Sequence, residues 1–316
     1  MDVEKLRSEC LPTMKNKTMA DCLTMVDVFR DFLFEVILKH QQDEVTSQAD
    51  ADAKIVVQMM LSKLIHIRKL LEGAGIESPK GKLNPIVDPT IIASLVRNIY
   101  ETVGTFNLIY VHTKSSDEKV ILYNLWVIAG LKYRQRFITN AKSQESTEKF
   151  EAEKKEIEVS IQQIEATGLY KGLSEENQAK IKDRIKSKEF RVKFENNEVK
   201  FLRWQDLCDV LGFKEGFFDN IYTYFSLNAH PSNVSIFQFR EMFGKETEAF
   251  KELTLIDMKF CFSMFSSFVA DFIKVFPKVK ETFDKQSIRD QILLNFYNRL
   301  MRGDSHSIND AWKNLG

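Results

Sequence analysis

Glycine and proline are scarce in this 316-residue chain, at 12 and 6 residues. Turn-dense all-β folds and glycine-rich phosphate loops both demand more of them. Neither GxGxxG nor GxxxxGK followed by Ser or Thr occurs, which excludes a Rossmann or P-loop enzyme. GxSxG and HExxH are absent too. The four cysteines, Cys10, Cys22, Cys208 and Cys261, lie far apart with no CxxC pair, so neither a disulfide framework nor a metal site is suggested. An excess of charge is also missing. Forty-five basic residues balance forty-five acidic ones, which argues against a polyanion-binding surface over the whole molecule and against a coat on an anionic membrane. Phe260 to Ala270 is uncharged for eleven residues, where a bilayer span needs about 20. Met1 to Asn16 carries no continuous apolar run of the secretory type, so the expectation is a cytoplasmic protein with reduced thiols.

Hydrophobic residues make up 44% of the chain, enough for a sizeable core. They recur with helical periodicity. Met19 to about Gln42 places Leu23, Val26, Phe29, Leu33, Val36 and Ile37 on one face. Ala53 to about Gly73 does the same, with Gly73 as its stop. A loop containing Pro79, Pro85 and Pro89 follows, and Asp88-Pro89 opens a helix to about Thr113. Ser115-Ser116-Asp117-Glu118 reads as a capping box for a helix to roughly Asn140. The expected fold is all-α, a multi-helix bundle.

Residues 142–188 are charged and helical. Phe150, Ile157 and Ile164 recur every seven residues, a thin stripe suited to a two-helix hairpin or a short dimer seam. Phe190, Val192 and Phe194, then Val199 and Phe201, alternate around Asn196-Asn197 and predict one β-hairpin near 190–203. Nineteen of the 25 phenylalanines lie between Phe190 and Phe296, with Phe265, Phe268, Phe272 and Phe276 in a helical stripe expected to be core. The segments are therefore an N-terminal bundle at 1–141, a charged helical arm at 142–188, and a hairpin with Phe-rich helices at 189–316 that pack back on the first.

Two patterns carry chemistry. Arg97 and Glu101 sit four apart on an otherwise apolar helix, with Tyr100 between them. They form either a surface ion pair or a half-buried pair in which the planar guanidinium can take phosphate. Tyr222, Ser226 and His230 also recur every four residues, with Asn228 nearby, and Pro231 disfavours helix at His230. The imidazole is then either a general acid/base or a helix-terminal residue bonding the last carbonyls. No carboxylate stands in an apolar setting that marks an acid/base pair. From Lys180 to Lys193, seven basic residues face two acidic ones, and Lys186, Lys188 and Arg191, near Phe190 and Trp204, are candidates for contact with a phosphate backbone.

The Arg97-x-x-x-Glu101 helix, followed by Tyr222-x-x-x-Ser226-x-x-x-His230-Pro231-Ser232, resembles a family of uncharacterised bacterial helical proteins over roughly residues 85–245. That family is similar to the HEPN-type helical proteins, many of them ribonucleases or nucleotide-binding modules of toxin and phage-defence systems. The resemblance implies that Arg97, Glu101, Ser226 and His230 converge on one site. HEPN nucleases carry arginine and histidine a few residues apart on one helix. Here Arg299-Leu-Met-Arg302-Gly-Asp-Ser-His306 approaches this, with Gly303 and Asp304 reading as a loop.

Two functions follow as expectations. One is a protein-interaction or regulatory module, with a protein partner or as a homodimer, in a bacterial stress or phage-defence setting. The other is a HEPN-like, metal-independent ribonuclease or nucleotide-handling enzyme using His230 and Arg97. RNA or a nucleotide would bind at that site or along 180–193, with no cofactor and no membrane.

Overall fold

The computed structural model describes residues 2–140, 142–216, 218, 220–230, 232–244 and 248–316. In chain order the elements are α1 (Val3–Lys15), α2 (Met19–His40), α3 (Gln48–Leu71), β1 (Ala74–Ser78), β2 (Gly81–Ile86), α4 (Pro89–Tyr110) and α5 (Ser116–Arg134). Next come α6 (Gln144–Ala166), α7 (Gly168–Gly172), α8 (Glu175–Ser187), β3 (Val192–Glu195) and β4 (Glu198–Phe201). The chain closes with α9 (Leu207–Val210), α10 (Ile221–Ala229), α11 (Asn233–Gly244), α12 (Glu248–Val275), α13 (Val279–Asp284) and α14 (Ile288–Arg302). The fold is all-α with two small antiparallel hairpins.

Two compact units divide the chain, one built from 1–107 with 208–316 and the other from 108–207. The cuts fall at 107/108 and 207/208, whereas the composition segments of the sequence break at 141/142 and 188/189.

The first unit is organised around α12. Its face toward α2 and α14 is aromatic: Phe29 stacks on Phe262 at 6.1 Å and meets Phe265 at 5.8 Å. Phe106 of α4 packs edge-on against Phe268 at 5.1 Å. Phe265, Phe268 and Phe272 of the stripe are buried, as their spacing predicts, while Phe276, just past the end of α12, is half-buried. Each such ring contributes about 1.5–3 kcal/mol relative to an exposed one. By length and composition α12 is also long enough to cross a bilayer, contrary to the expectation from its uncharged stretch, although much of it is buried among the unit's own helices.

Polar groups lock the same core. Asp271 accepts from Arg302 Nη1 at 2.9 Å and from Asn107 Nδ2 at 2.7 Å. Ser266 Oγ donates to Leu294 O at 2.6 Å and accepts from Asn298 N at 2.8 Å, tying α12 to α14.

Helix boundaries follow local chemistry. Thr18 and Asp21 form a reciprocal capping box on α2. Asp88 Oδ1 accepts from Thr90 N at 2.8 Å, so α4 starts at Pro89 as read from the sequence. The segment with Pro79 and Pro85, expected as a loop, is the β1–β2 hairpin. Its residues are exposed on both faces up to Ile86, so it shows no alternation to detect, and Pro85 is tolerated because a two-stranded ribbon has only edges.

In the second unit α6 lies along α5. Of its thin stripe Ile157 and Ile164 are buried, at 8% and 0% exposure, and Phe150 is half-buried, so α6 pairs with α5 within one chain. Ser115 caps α5 through Glu118 N at 3.2 Å, while the Glu118 carboxylate reaches Lys114 N at 2.7 Å, one residue beyond a reciprocal box. The β3–β4 hairpin pairs Val192 with Phe201 and Glu195 with Glu198. Asn196 and Asn197 turn it at φ 52° and 63°, left-handed values that asparagine tolerates better than most residues.

Candidate active site

All residues of the strongest pattern belong to the first unit. On α4, the i,i+4 spacing stacks Arg97 over Glu101, and Arg97 Nε donates to Glu101 Oε1 at 3.1 Å. Both side chains are half-buried, at 20% and 25% exposure. Across from them α10 presents Tyr222. Arg97 Nη2 donates to the Tyr222 hydroxyl at 2.5 Å, and that hydroxyl donates to Glu101 Oε1 at 3.2 Å, closing a ring of three side chains. The Arg97 Cζ also lies 4.7 Å from the Tyr222 ring centroid, a cation–π contact. Burial raises the Tyr222 phenol above its ordinary pKa, and the Glu101 charge raises it further.

His230 completes the cluster. Arg97 Nη1 lies 3.2 Å from His230 Nε2. For Arg97 to donate there, Nε2 must offer its lone pair, which is the geometry of the Nδ1–H tautomer. The imidazole is exposed, and the His230 backbone is extended at φ −115°, ψ 141°, where α10 gives way. Pro231, invoked for that break, lies outside the described residues. A guanidinium has five N–H donors and these contacts use three, leaving one on each Nη for an incoming acceptor. A phosphate taken by this fork would lie beside the imidazole.

The other candidates are placed differently. Ser226 Oγ donates to Tyr222 O at 2.6 Å, its own helix one turn back, so the hydroxyl is engaged away from Arg97. Asn228 Nδ2 likewise donates to Tyr224 O at 3.3 Å. Tyr100 is buried at 2% exposure, its hydroxyl 3.4 Å from Cys208 Sγ and its ring 5.9 Å from that of Tyr222. It backs the site rather than lining it. Arg299 pairs with Asp304 at 2.6 Å and covers Trp312 at 3.3 Å, and Gly303, at φ 90°, ends α14 before His306.

Lys186, Lys188 and Arg191 belong to the second unit, where much of the basic stretch has partners. Arg191 is buried over Trp204 at 4.1 Å and pairs with Glu189 at 2.6 Å. Arg184 covers Phe201 at 3.5 Å, Lys180 meets Glu176 at 2.9 Å, and Lys193 meets Glu195 at 2.8 Å. Lys188 is half-buried as the left-handed cap of α8, and Lys186 is exposed. The run is a set of local pairs more than a continuous cationic track.

A protein family of unknown function, DUF5677, matches residues 88–248, half of the sequence. The chain belongs to the DUF5677 family. No curated protein and no solved structure matches it. The DUF5677 segment contains Arg97, Glu101, Tyr222 and His230, so every member of the cluster falls inside the matched region.

One site feature was missed in the sequence. Asp257 and Asp271 flank the uncharged stretch from Phe260 to Ala270, and they correct the expectation that no carboxylate stands in an apolar setting. Both are buried on α12, at 0% and 2% exposure. Their separation of about four turns was the available signal, since it puts them on the same face as the phenylalanine stripe. Asp257 Oδ1 accepts from the hydroxyl of Tyr224, two residues along α10 from Tyr222, at 3.0 Å. Among the described residues, groups of three or more His, Cys, Asp or Glu with metal-holding geometry are absent.

Proposed function

We propose that the Arg97–His230 cluster handles phosphate esters, as a metal-independent ribonuclease or a nucleotide-processing enzyme. The observation behind this reading is the Arg97–His230 contact at 3.2 Å, which brings an anion-binding fork and an exposed imidazole within reach of one phosphate. In the resting cluster Arg97 covers the Nε2 lone pair. A phosphodiester that recruits the Nη donors uncovers it. For an RNA substrate, Nε2 then takes the proton of the ribose 2′-hydroxyl, and the 2′-oxygen bonds to phosphorus. The bond from phosphorus to the 5′-oxygen breaks, its electron pair stays on that oxygen, and water supplies the oxygen's proton. Arg97 neutralises the charge that builds on the phosphoryl oxygens, while Glu101 and Tyr222 fix its plane. The setting that fits such an activity is cytoplasmic and bacterial, in stress response or phage defence.

The test is purified protein with single-stranded RNA in the presence of EDTA. His230→Ala and Arg97→Ala are each expected to abolish cleavage while keeping the wild-type circular dichroism. Equal RNA profiles for wild type and His230→Ala would remove the reading.

A second reading, a protein-interaction module, is favoured by a separate observation: α11 exposes Val234, Ile236 and Phe237, with Leu227 also exposed on α10. Self-association in sedimentation equilibrium that disappears in Phe237→Glu supports a homodimer through this surface. A monomer at every concentration tested rejects it.

A further inference from the structure

The helix that carries Tyr222 and His230 has little to hold it by itself. α10 is only nine residues long, its N-cap Asn220 makes no side-chain capping bond, and its C-cap His230 is extended. A helix this short is marginal on its own, so its position depends on tertiary anchors. Two edges supply them. Tyr222 engages Arg97 and Glu101 of α4. Tyr224 and Phe225 face α12, where Phe225 packs edge-on against Phe260 at 5.7 Å and Tyr224 reaches Asp257.

Asp257 is an unusual anchor. It is fully buried, Oδ1 has one donor, and among the described residues Oδ2 has no hydrogen-bond partner. Tyr224 of α10 acts on it directly; Cys261, one turn along α12, and beyond it Cys22 of α2 are the titratable groups next in reach. Among the described residues Asp257 has no ion pair, and none of these neighbours is a cation. A carboxylate in such a place loses hydration that one phenol does not replace, so the neutral acid is favoured.

We propose that Tyr224 and Asp257 are positioning residues for the Arg97–His230 site, holding α10 against α12 while Asp257 is protonated and releasing it on ionisation. Relief for the charged form requires water, and the shortest route is displacement of the Tyr224 ring with the helix that bears it. The inference rests on the proposed phosphate-ester site only for its effect on turnover; the anchor itself is read without any substrate.

Burial raises the Asp257 pKa to about 7, against the smaller opposing effect of the Tyr224 hydrogen bond. In an opened state the carboxyl returns to about 3.9. The sign follows from linkage: the closed state binds the extra proton, so closure is strongest below about pH 4. It then weakens by up to about tenfold per pH unit to near pH 7 and levels off above.

The experiment is amide hydrogen exchange of residues 221–229, corrected for intrinsic rates, in wild type, Asp257→Asn and Tyr224→Phe between pH 5 and 8. Wild-type protection is expected to fall about 50-fold from pH 5 to 7 and by less than about twofold more to pH 8. Asp257→Asn, which keeps an acceptor for Tyr224 but cannot ionise, is expected to show constant protection. Tyr224→Phe is expected to lower protection already at pH 5. Flat protection in wild type overturns the proposal, as does an equal pH-dependent loss in Asp257→Asn. If the exchange result holds and RNA is not cleaved at any pH, the anchor stands and the ribonuclease reading fails.

Discussion

Arg97 Nη1 meets His230 Nε2 at 3.2 Å across 133 residues of chain. One side belongs to α4, a helix of 22 residues, and the other stands just past the end of α10, a helix of nine. The Arg97–Glu101 pair orients the guanidinium on α4, and Tyr222 ties both to α10, the helix that ends at His230.

Tyr222→Phe removes the hydroxyl that bridges Arg97 and Glu101 and leaves the Arg97–Glu101 pair. Because the site is part-exposed, the expected loss of stability is about 1 kcal/mol in urea unfolding. RNA cleavage is expected to fall more steeply than that, since the fork loses its fixed plane.

Asp271→Ala strands the Arg302 guanidinium, whose side chain is 5% exposed, without its carboxylate. Removing one partner of a buried pair costs about 3–5 kcal/mol, and thermal unfolding of the variant should show it. The double replacement Asp271→Leu with Arg302→Met is expected to recover most of that loss, because no charge is left buried.

Phe29→Ala opens a cavity between α2 and α12, where the ring contacts Phe262 and Phe265. A loss of about 3–5 kcal/mol is expected by chemical denaturation, against under about 1.5 for Phe29→Leu.

Glu195 lies between Lys193 at 2.8 Å and Lys200 at 2.7 Å, and their hydrogen bonds lower its carboxyl to about 2. A depressed carboxylate contributes stability above its unfolded value, near 4.3, that is lost as pH falls toward 2. Carboxyl-carbon NMR should place the wild-type titration near 2, and Lys200→Met is expected to move it up toward the ordinary glutamate range.

Much of the helical architecture was legible because caps and periodicity are local. Asp88 and Ser115 mark starts that side-chain hydrogen bonds enforce, and the spacing of Phe265, Phe268 and Phe272 faces them to the core. The β1–β2 hairpin escaped because neither of its faces is buried before Ile86, so no alternation was written into it. Arg97, Glu101, Tyr222 and His230 were each legible as helix-face patterns. Ser226 shared the spacing but spends its hydroxyl on Tyr222 O, a choice that rotamer and backbone geometry make and spacing does not.

The sequence by itself determined the class of object: a helix-rich chain with balanced charge, no phosphate loop and one asparagine-turned hairpin. Tertiary structure alone decided which charges are buried and which distant residues meet. Arg97 reaches His230 only because α4 and α10 pack in one unit. Burial pushes the Asp257 carboxyl up to about 7 only because α12 turns it inward. Periodicity fixes the face a residue occupies on its own helix. What covers that face depends on the packing of elements far apart in the chain, and the free energy of a charge is set by that cover.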